Sequence, residues 1–169
     1  MSLGNGRHYL AIPGPSVIPD RVLAAMHRPA PNIYHGELAD MVPGIVNDLK
    51  AVAGTKHHAA IYIANGHGVW EAALTNVFSR GDKVLVPSTG TFSQGWADMA
   101  RALGVDAEVQ DFGQRSAIDP ARLAERLAAD TGHEIKAVMT VQVDTSTSVR
   151  NDVAALRRVL DEVGHPALL

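Results

Sequence analysis

The chain has 169 residues, of which 46% are hydrophobic, so it is long enough for one domain with a substantial core. Its formal net charge is -3 and it has no basic run, which argues against a nucleic acid as partner. It has no cysteine, which excludes disulfides, thiolate nucleophiles and cysteine-held zinc within these residues.

Membrane and metal signals are weak in this composition. No apolar run approaches the length of a membrane span, and Met1-Ser2-Leu3 looks like an expression leader rather than a signal peptide. The eight histidines are scattered and form no H-x-x-x-H pair. We therefore expect a cytoplasmic protein with no membrane partner and no metal site.

The first part of the chain predicts an arm followed by a short helix. Residues 1–18 contain the proline-stiffened segment Pro13-Gly14-Pro15, which favours an extended arm. Pro19 then opens a helix at residues 20–27. The inner side of this helix is predicted to carry Val22, Leu23 and Met26.

A longer helical pattern follows at residues 37–53, and Gly54 ends it just after the last turn. The apolar residues of this pattern repeat at about 3.6 residues and predict one buried face: Leu38, Met41, Val42, Ile45, Leu49 and Val52. Pro43-Gly44 interrupts the pattern. Either the helix is kinked there, or it begins near Pro43.

A glycine-bracketed turn lies between an apolar stretch at residues 59–63 and a helical pattern that begins at Val69. The apolar stretch predicts a buried strand. Gly66 and Gly68 permit positive φ and a close approach of the backbone to a ligand. A helix N-terminus at this point would favour an anion, so the turn indicates a phosphate cradle at Gly66, His67 and Gly68. An ordinary tight turn is the alternative.

The rest of the chain alternates strands with helices. Strands are predicted at residues 83–86, 107–112 and 137–142, with a further strand beginning at 166–169. Helices are predicted at residues 92–103 and 120–129, and Asn151 opens a last one. The fold class is therefore α/β, with a mainly parallel sheet and flanking helices.

Ligands of such sheets bind beyond the carboxyl ends of the strands. Three polar loops lie at that edge, and together they resemble the front part of the class V aminotransferases, pyridoxal-phosphate enzymes that include alanine–glyoxylate and serine–glyoxylate aminotransferases. The resemblance covers nearly the whole chain and rests on these segments: Pro13-Gly14-Pro15-Ser16-Val17-Ile18-Pro19, Asn65-Gly66-His67-Gly68 leading to Glu71-Ala72, Gly90-Thr91-Phe92-Ser93-Gln94, and Asp144-Thr145-Ser146-Thr147-Ser148-Val149.

The resemblance implies a cofactor, pyridoxal 5'-phosphate, and residues that contact it. The backbone N–H groups of Gly66 and His67 would hold its phosphate. Phe92 would stack on the pyridine ring, and Thr145 would offer a hydroxyl group to the ring region. Plainer roles remain open for each: a turn residue for His67, a core residue for Phe92 and a loop cap for Thr145.

On the substrate side, the resemblance points to Tyr34, whose loop approaches the substrate in relatives, and more weakly to Asn65. Tyr34 could instead be a surface or interface residue. The family usually has glycine where Ser148 stands, which leaves the backbone geometry of that loop open. We expect Trp70 and Trp96 to serve packing.

The resemblance also implies a division of the chain into an N-terminal arm at residues 1–18 and an incomplete pyridoxal-phosphate-binding large domain of fold type I at residues 19–169. The family's aspartate for the ring nitrogen, its Schiff-base lysine and its substrate-binding arginine would lie beyond Leu169. We therefore expect no catalytic residue in this chain, and no activity from the 169-residue piece alone.

The intact protein would transfer an amino group from a small amino acid to a 2-oxo acid such as glyoxylate or pyruvate. It would be a homodimer, with the helices at residues 20–27 and 37–53 as candidate dimer elements. Other interpretations are a lyase or desulfurase that uses the same cofactor, and a non-catalytic module that pairs through an apolar edge at residues 167–169. A Rossmann-type nucleotide site fits poorly, because a third glycine and a ribose-binding acid are missing.

Overall fold

The structure is a computed structural model that describes residues 9–10, 12 and 14–169. It divides into a first compact unit that ends at Ile61 and a second unit, Tyr62–Leu169. Part of the predicted arm, including Met1-Ser2-Leu3 and Pro13, lies outside the described residues. Within the described ranges, no helix is both long enough and apolar enough to cross a bilayer.

The first unit contains helix α1, Asp20–Met26, and helix α2, Glu37–Val52, close to the predicted bounds. Pro43 lies inside α2, so this helix begins well before the proline. The predicted burial is wrong, because neither helix has a buried residue. Apart from Leu38, which is half-buried, the apolar residues of the expected inner faces are 37–87% exposed. Two helices cannot enclose an apolar stripe without a further layer against them.

The second unit is built on a parallel sheet, as predicted, in which the first strand along the chain lies between the second and the third. Its strands are β1, Lys83–Ser88, β2, Asp106–Asp111, and β3, Ile135–Val138. Successive side chains of a strand point to opposite faces, so β1 serves two cores. Val84 and Val86 pack on one side of the sheet, and Leu85 packs on the other.

Four helices cover this sheet. On the side of Val84 lie α3, Gly66–Val77, and α4, Thr91–Ala102, which contribute Leu74, Ala97 and Ala100 to that core. On the side of Leu85 lie α5, Pro120–Ala128, and α6, Val153–Val163, with the buried residues Leu123, Leu127, Leu156, Val159 and Leu160. The flanking helices predicted from the period of the apolar residues are thus confirmed.

The predicted strand at residues 59–63 is absent, and Ile61 and Ile63 are exposed, Ile63 fully. A strand is stable only beside a partner, and nothing in the described part of the chain pairs with this stretch. The predicted strand at residues 166–169 is likewise reduced to one parallel bridge, between Ala137 and Leu168.

A small antiparallel hairpin interrupts the pattern after β3. It consists of β4, Val143–Asp144, and β5, Val149–Arg150. The strand predicted at residues 137–142 ends early, because Gln142 O accepts from Asn151 N (2.7 Å) instead of a sheet neighbour. Asn151 does not open α6 as predicted: Asp152 caps it, and the buried Asn151 side chain donates to Val141 O (2.7 Å).

At the edge of the sheet where β3 begins, the buried carboxylate of Asp130 joins three segments. It accepts hydrogen bonds from the backbone of Ile135 (2.9 Å) and Glu134 (3.2 Å) and contacts Nε2 of His165 (3.1 Å). Because Ala167 N donates to Nδ1 of His165, Nε2 carries the proton toward Asp130. Burial would raise the pKa of Asp130, but these hydrogen bonds outweigh it and hold the pKa below its ordinary value.

We predict that Asp130→Asn lowers the free energy of unfolding at pH 7 by about 1–3 kcal/mol, since buried N–H donors lose a charged acceptor. A carboxyl whose pKa is lowered by folding stabilises the protein above its ordinary pKa of 3.8 and loses that contribution as the pH falls further. Urea unfolding at pH 7 and pH 3 should therefore show a larger loss on acidification for the wild type than for the variant.

The control is Asp161→Asn, which removes an exposed carboxylate paired with Arg157. It should change the unfolding free energy by less than about 1 kcal/mol. Equal stability of the Asp130 and Asp161 variants at pH 7 would contradict the assignment.

Candidate functional site

The candidate site is built where β1 ends and α4 begins. The turn between them is held by Ser93, whose Oγ accepts from the backbone of Thr89 (3.1 Å) and Gly90 (3.2 Å) and donates to Gly90 O (2.8 Å). A hydroxyl group that returns to the residues before its own helix satisfies donors that the first turn would leave free. Hydrogen bonds between Ser93 and the two residues that precede α4 therefore fix the start of this helix.

Asp144 caps α4 from a distant part of the chain. Its side chain is fully buried, and its Oδ2 atom accepts from the backbone of Phe92 (3.1 Å) and Ser93 (3.2 Å). Gly90 is needed for this approach, because a Cβ atom at that position would lie 2.5 Å from the carboxylate carbon. Burial would raise the pKa of Asp144, but the hydrogen bonds from Ser146 and Ser93 outweigh it and hold the pKa below its ordinary value.

The loop of residues 145–148, in which every residue has a hydroxyl group, contacts the same helix start, and we call it the hydroxyl-rich loop. Ser146 Oγ accepts from Thr91 N (2.9 Å), and Thr147 Oγ1 donates to Thr89 O (3.0 Å). Thr145 is exposed, and its chain neighbours Asp144 and Ser146 both form hydrogen bonds to the start of α4. Ser148 has φ +61, a conformation that glycine adopts without strain, which accounts physically for a glycine preference there.

The N-terminus of α3 is arranged differently. Its N-cap, Asn65, accepts from His67 N through Oδ1 (3.1 Å), and its own carbonyl accepts from Gly68 N (3.1 Å). Neither glycine of the turn takes positive φ; both lie inside the helix. A Cβ atom at Gly68 would lie 2.4 Å from Cβ of Ala64, whereas one at Gly66 would meet open space.

Aromatic contacts bring the two helix starts together. The rings of His67 and Phe92 are 6.3 Å apart, and the ring of Trp70 lies 4.7 Å from His67 and 6.1 Å from Phe92. Trp70 also stacks on Trp96 at 5.6 Å, in keeping with their expected role in packing. The structure thus brings His67 and Phe92 together, and Asp144 brings the loop of Thr145 to Phe92.

Tyr34 belongs to the first unit and is 85% exposed. Its backbone N–H donates to the side chain of Asn32 (2.9 Å), which closes a local turn. Asn65, the second substrate-side candidate, uses its carboxamide oxygen to cap α3. Ser146, a neighbour of Thr145 in the same loop, accepts from the backbone at the start of α4.

The two helix N-termini differ in charge. The first turn of α4 already holds a buried carboxylate, which repels a second anion. The first turn of α3 is capped by a neutral and exposed amide, and space is open beside Gly66. A phosphate group fits the start of α3, where it would replace Asn65 Oδ1 as the acceptor of His67 N–H, and does not fit the start of α4.

Sequence reasoning missed the role of Asp144, although this residue was part of a recognised segment. Its partners, Phe92 and Ser93, are 52 and 51 residues away in the chain. A local pattern shows a cap only when the capping residue directly precedes its helix. The one usable signal was an acidic residue in an otherwise hydroxyl-rich loop at a strand end.

We predict that Gly90→Ala destabilises the protein by about 1–3 kcal/mol, because the added methyl group pushes the Asp144 carboxylate off the start of α4. Gly95→Ala, inside the same helix, is the matched control. Its Cβ atom would meet only a Trp70 ring carbon at 4.0 Å, so it should stabilise by about 0.5–1 kcal/mol. Urea unfolding measures both, and equal stability of the two variants would contradict the packing described.

Comparisons with known proteins find several aminotransferases that are similar to this chain. The chain is 42% identical over 165 residues to serine–glyoxylate aminotransferase from Methylorubrum extorquens, a match that covers 97% of this chain and 41% of that protein. It is 36% identical over 159 residues to L-aspartate–glyoxylate aminotransferase from Paracoccus denitrificans, covering 94% of this chain and 40% of that protein. No family model matches the chain.

Solved structures show the same fold. Pyridoxamine–pyruvate aminotransferase from Mesorhizobium loti superposes with a TM-score of 0.79 at 22% identity, over 92% of this chain and 39% of that one. Aspartate aminotransferase of subgroup IV from Thermus thermophilus superposes with a TM-score of 0.78 at 25% identity, over 92% of this chain and 43% of that one. The chain spans about two fifths of the length of the curated relatives it matches. The chain is similar over nearly all of its length to glyoxylate aminotransferases, and it has the type I fold of the pyridoxal-phosphate-dependent aminotransferases.

Proposed function

We propose that this chain provides the phosphate cradle and the ring-stacking face for pyridoxal 5'-phosphate in an aminotransferase. The enzyme would move an amino group from a small amino acid to a 2-oxo acid such as glyoxylate or pyruvate. The observation that carries the proposal is an open helix start at Gly66 and His67 beside the ring of Phe92, 6.3 Å from the ring of His67. The relatives, named for serine–glyoxylate and aspartate–glyoxylate transamination, support it.

The phosphate would bind at the N-terminus of α3. There the backbone N–H groups of Gly66 and His67 and the helix dipole favour an anion. Asn65 Oδ1 accepts from His67 N in this structure, and a doubly charged phosphate oxygen is the stronger acceptor. Release of Asn65 by the phosphate would free its carboxamide, consistent with the substrate-side role proposed for it.

The pyridine ring would lie on Phe92, whose face attracts a flat cation. Phe92 is half-buried and contacts Trp70, so its ring has little freedom and stacking costs little conformational entropy. Thr145 would donate its hydroxyl group to an oxygen of the ring. Bound there, the cofactor supplies an electron sink for chemistry at the amino-acid carbon.

The residues described bind and orient the cofactor, and no lysine of this chain matches the position of the family's Schiff-base lysine. We therefore propose that the 169-residue chain is inactive by itself. Tyr34 remains a proposed substrate-side residue. Membership of class V, the division into an arm and an incomplete large domain, and a cytoplasmic location also remain predictions. The exposed apolar faces of α1 and α2 support their proposed role in a homodimer.

One observation favours the alternative of a non-catalytic interaction module. An apolar groove of about 840 Å³ runs along the outer edge of β3, and its lining includes Val77, Trp96, Met139, Val153 and Leu168. Exposed apolar grooves of this kind mark interaction sites. A module of this type would associate with another chain and would not bind the cofactor.

We predict that pyridoxamine 5'-phosphate binds the chain and changes the fluorescence of Trp70 and Trp96. This ligand has the phosphate and the ring but no aldehyde, so it cannot react with the lysines. Phe92→Ala should weaken binding about fivefold, because the ring loses its stacking partner. Tyr9→Ala, which removes an exposed ring of the first unit, is the control and should leave binding unchanged.

Inorganic phosphate should compete with this ligand, since both would occupy the start of α3. Absence of binding to the wild-type chain would refute the proposed function. Equal affinity of the wild type and Phe92→Ala would refute the stacking role of Phe92.

A further inference from the structure

We infer that Asp144 is a positioning residue of the cofactor site, which sets Phe92 and Thr145 relative to each other. The inference rests on the proposed function and assigns a role to a side chain that would not itself touch the cofactor. Its basis is the way in which the two carboxylate oxygens are divided between two segments of the chain.

Each oxygen of Asp144 serves a different segment. Oδ2 accepts from the backbone of Phe92 (3.1 Å) and Ser93 (3.2 Å) at the start of α4. Oδ1 accepts from the backbone N (3.1 Å) and from Oγ (2.6 Å) of Ser146 in the hydroxyl-rich loop. One rigid carboxylate plane therefore joins the backbone of the stacking residue to the loop that carries Thr145.

A second link closes the connection. Ser146 Oγ donates to Asp144 and accepts from Thr91 N (2.9 Å), so loop and helix are joined both through the carboxylate and directly. Thr145 lies between Asp144 and Ser146 in the chain, and both neighbours are held. A displaced carboxylate would move the hydroxyl group of Thr145 and the ring of Phe92 with respect to each other.

The charge of Asp144 matters as much as its shape. All of the bonds to Asp144 described above bring donors to the carboxylate, and an ionised carboxylate offers only acceptors. In Asp144→Asn one oxygen becomes an NH₂ group, which must face N–H donors on one of the two sides. The amide can therefore satisfy the helix or the loop, but not both.

The matched control lies at the opposite edge of the same sheet. Asp130 is also buried and also accepts from two backbone N–H groups, those of Glu134 and Ile135. Asp130→Asn thus makes the same chemical change in a similar setting, away from α3 and α4. Effects of general destabilisation should appear in both variants, whereas effects on cofactor geometry should appear only in Asp144→Asn.

The test is a titration of the 169-residue chain with pyridoxamine 5'-phosphate, followed by fluorescence and by the circular dichroism induced in the cofactor band at saturation. We expect Asp144→Asn to bind about tenfold more weakly and to change the induced dichroism per bound cofactor. Asp130→Asn should retain the wild-type affinity within about twofold, and the wild-type dichroism, under conditions where it is folded.

Ser146→Ala provides a second variant, which keeps the carboxylate and its bonds to α4 but removes one bond on the loop side. We expect a smaller loss of affinity, about threefold, again with altered dichroism. If Asp144→Asn does not fold, this variant decides the question. A folded Asp144→Asn, or failing that Ser146→Ala, with wild-type affinity and dichroism would overturn the positioning role.

Failure of the proposed function gives a different result. If the wild-type chain does not bind pyridoxamine 5'-phosphate, both the cofactor site and the inference that rests on it are refuted. If the wild type binds and the variants match it, only the positioning role is refuted.

Discussion

The candidate site depends on one buried carboxylate placed at the start of a helix. Burial of an ionised group costs several kcal/mol unless donors replace its water. At Asp144 those donors are the backbone N–H groups of Phe92, Ser93 and Ser146 and the hydroxyl group of Ser146. The bonds span 52 residues of sequence, and they require that position 90 have no side chain.

This interaction separates the tasks of two neighbouring helix N-termini. Both α3 and α4 begin at the carboxyl-end side of a parallel sheet, where such folds bind ligands. Asp144 already places a negative charge at the start of α4, so this helix start does not attract a second anion. The same carboxylate fixes the backbone of Phe92. Asn65, the neutral cap of α3, is exposed, so an anion could replace its Oδ1 atom as the acceptor of His67 N–H. A ligand with an anionic end and a flat cationic ring matches that pair of neighbours.

The sequence predicted the sheet and its helices well because their signals are local. The strand of Val84, Leu85 and Val86 is apolar on both faces, and α3 to α6 have periodic apolar faces with ordinary stops. The wrong predictions concern segments and side chains whose role depends on a partner elsewhere in the chain. Residues 59–63 have the composition of a strand but no strand partner among the described residues. Asn151 has the chemistry of a cap, but its Oδ1 atom accepts from Ile118 N (2.9 Å) and its NH₂ group donates to Val141 O and Thr89 Oγ1. For the site, the approach of His67 to Phe92 followed from the sheet edge, whereas the contact of Asp144 with α4 depends on tertiary folding.

The central claim is that α3 offers an open anion site and that α4 is closed by Asp144. Titration of the ¹⁵N-labelled chain with inorganic phosphate tests it most directly, because this ion has no ring to disturb the resonances of nearby aromatic residues. The account predicts that the backbone amide resonances of Gly66 and His67 shift with phosphate concentration while that of Ser93 does not. A saturable shift at Ser93, with Gly66 and His67 unchanged, would contradict it.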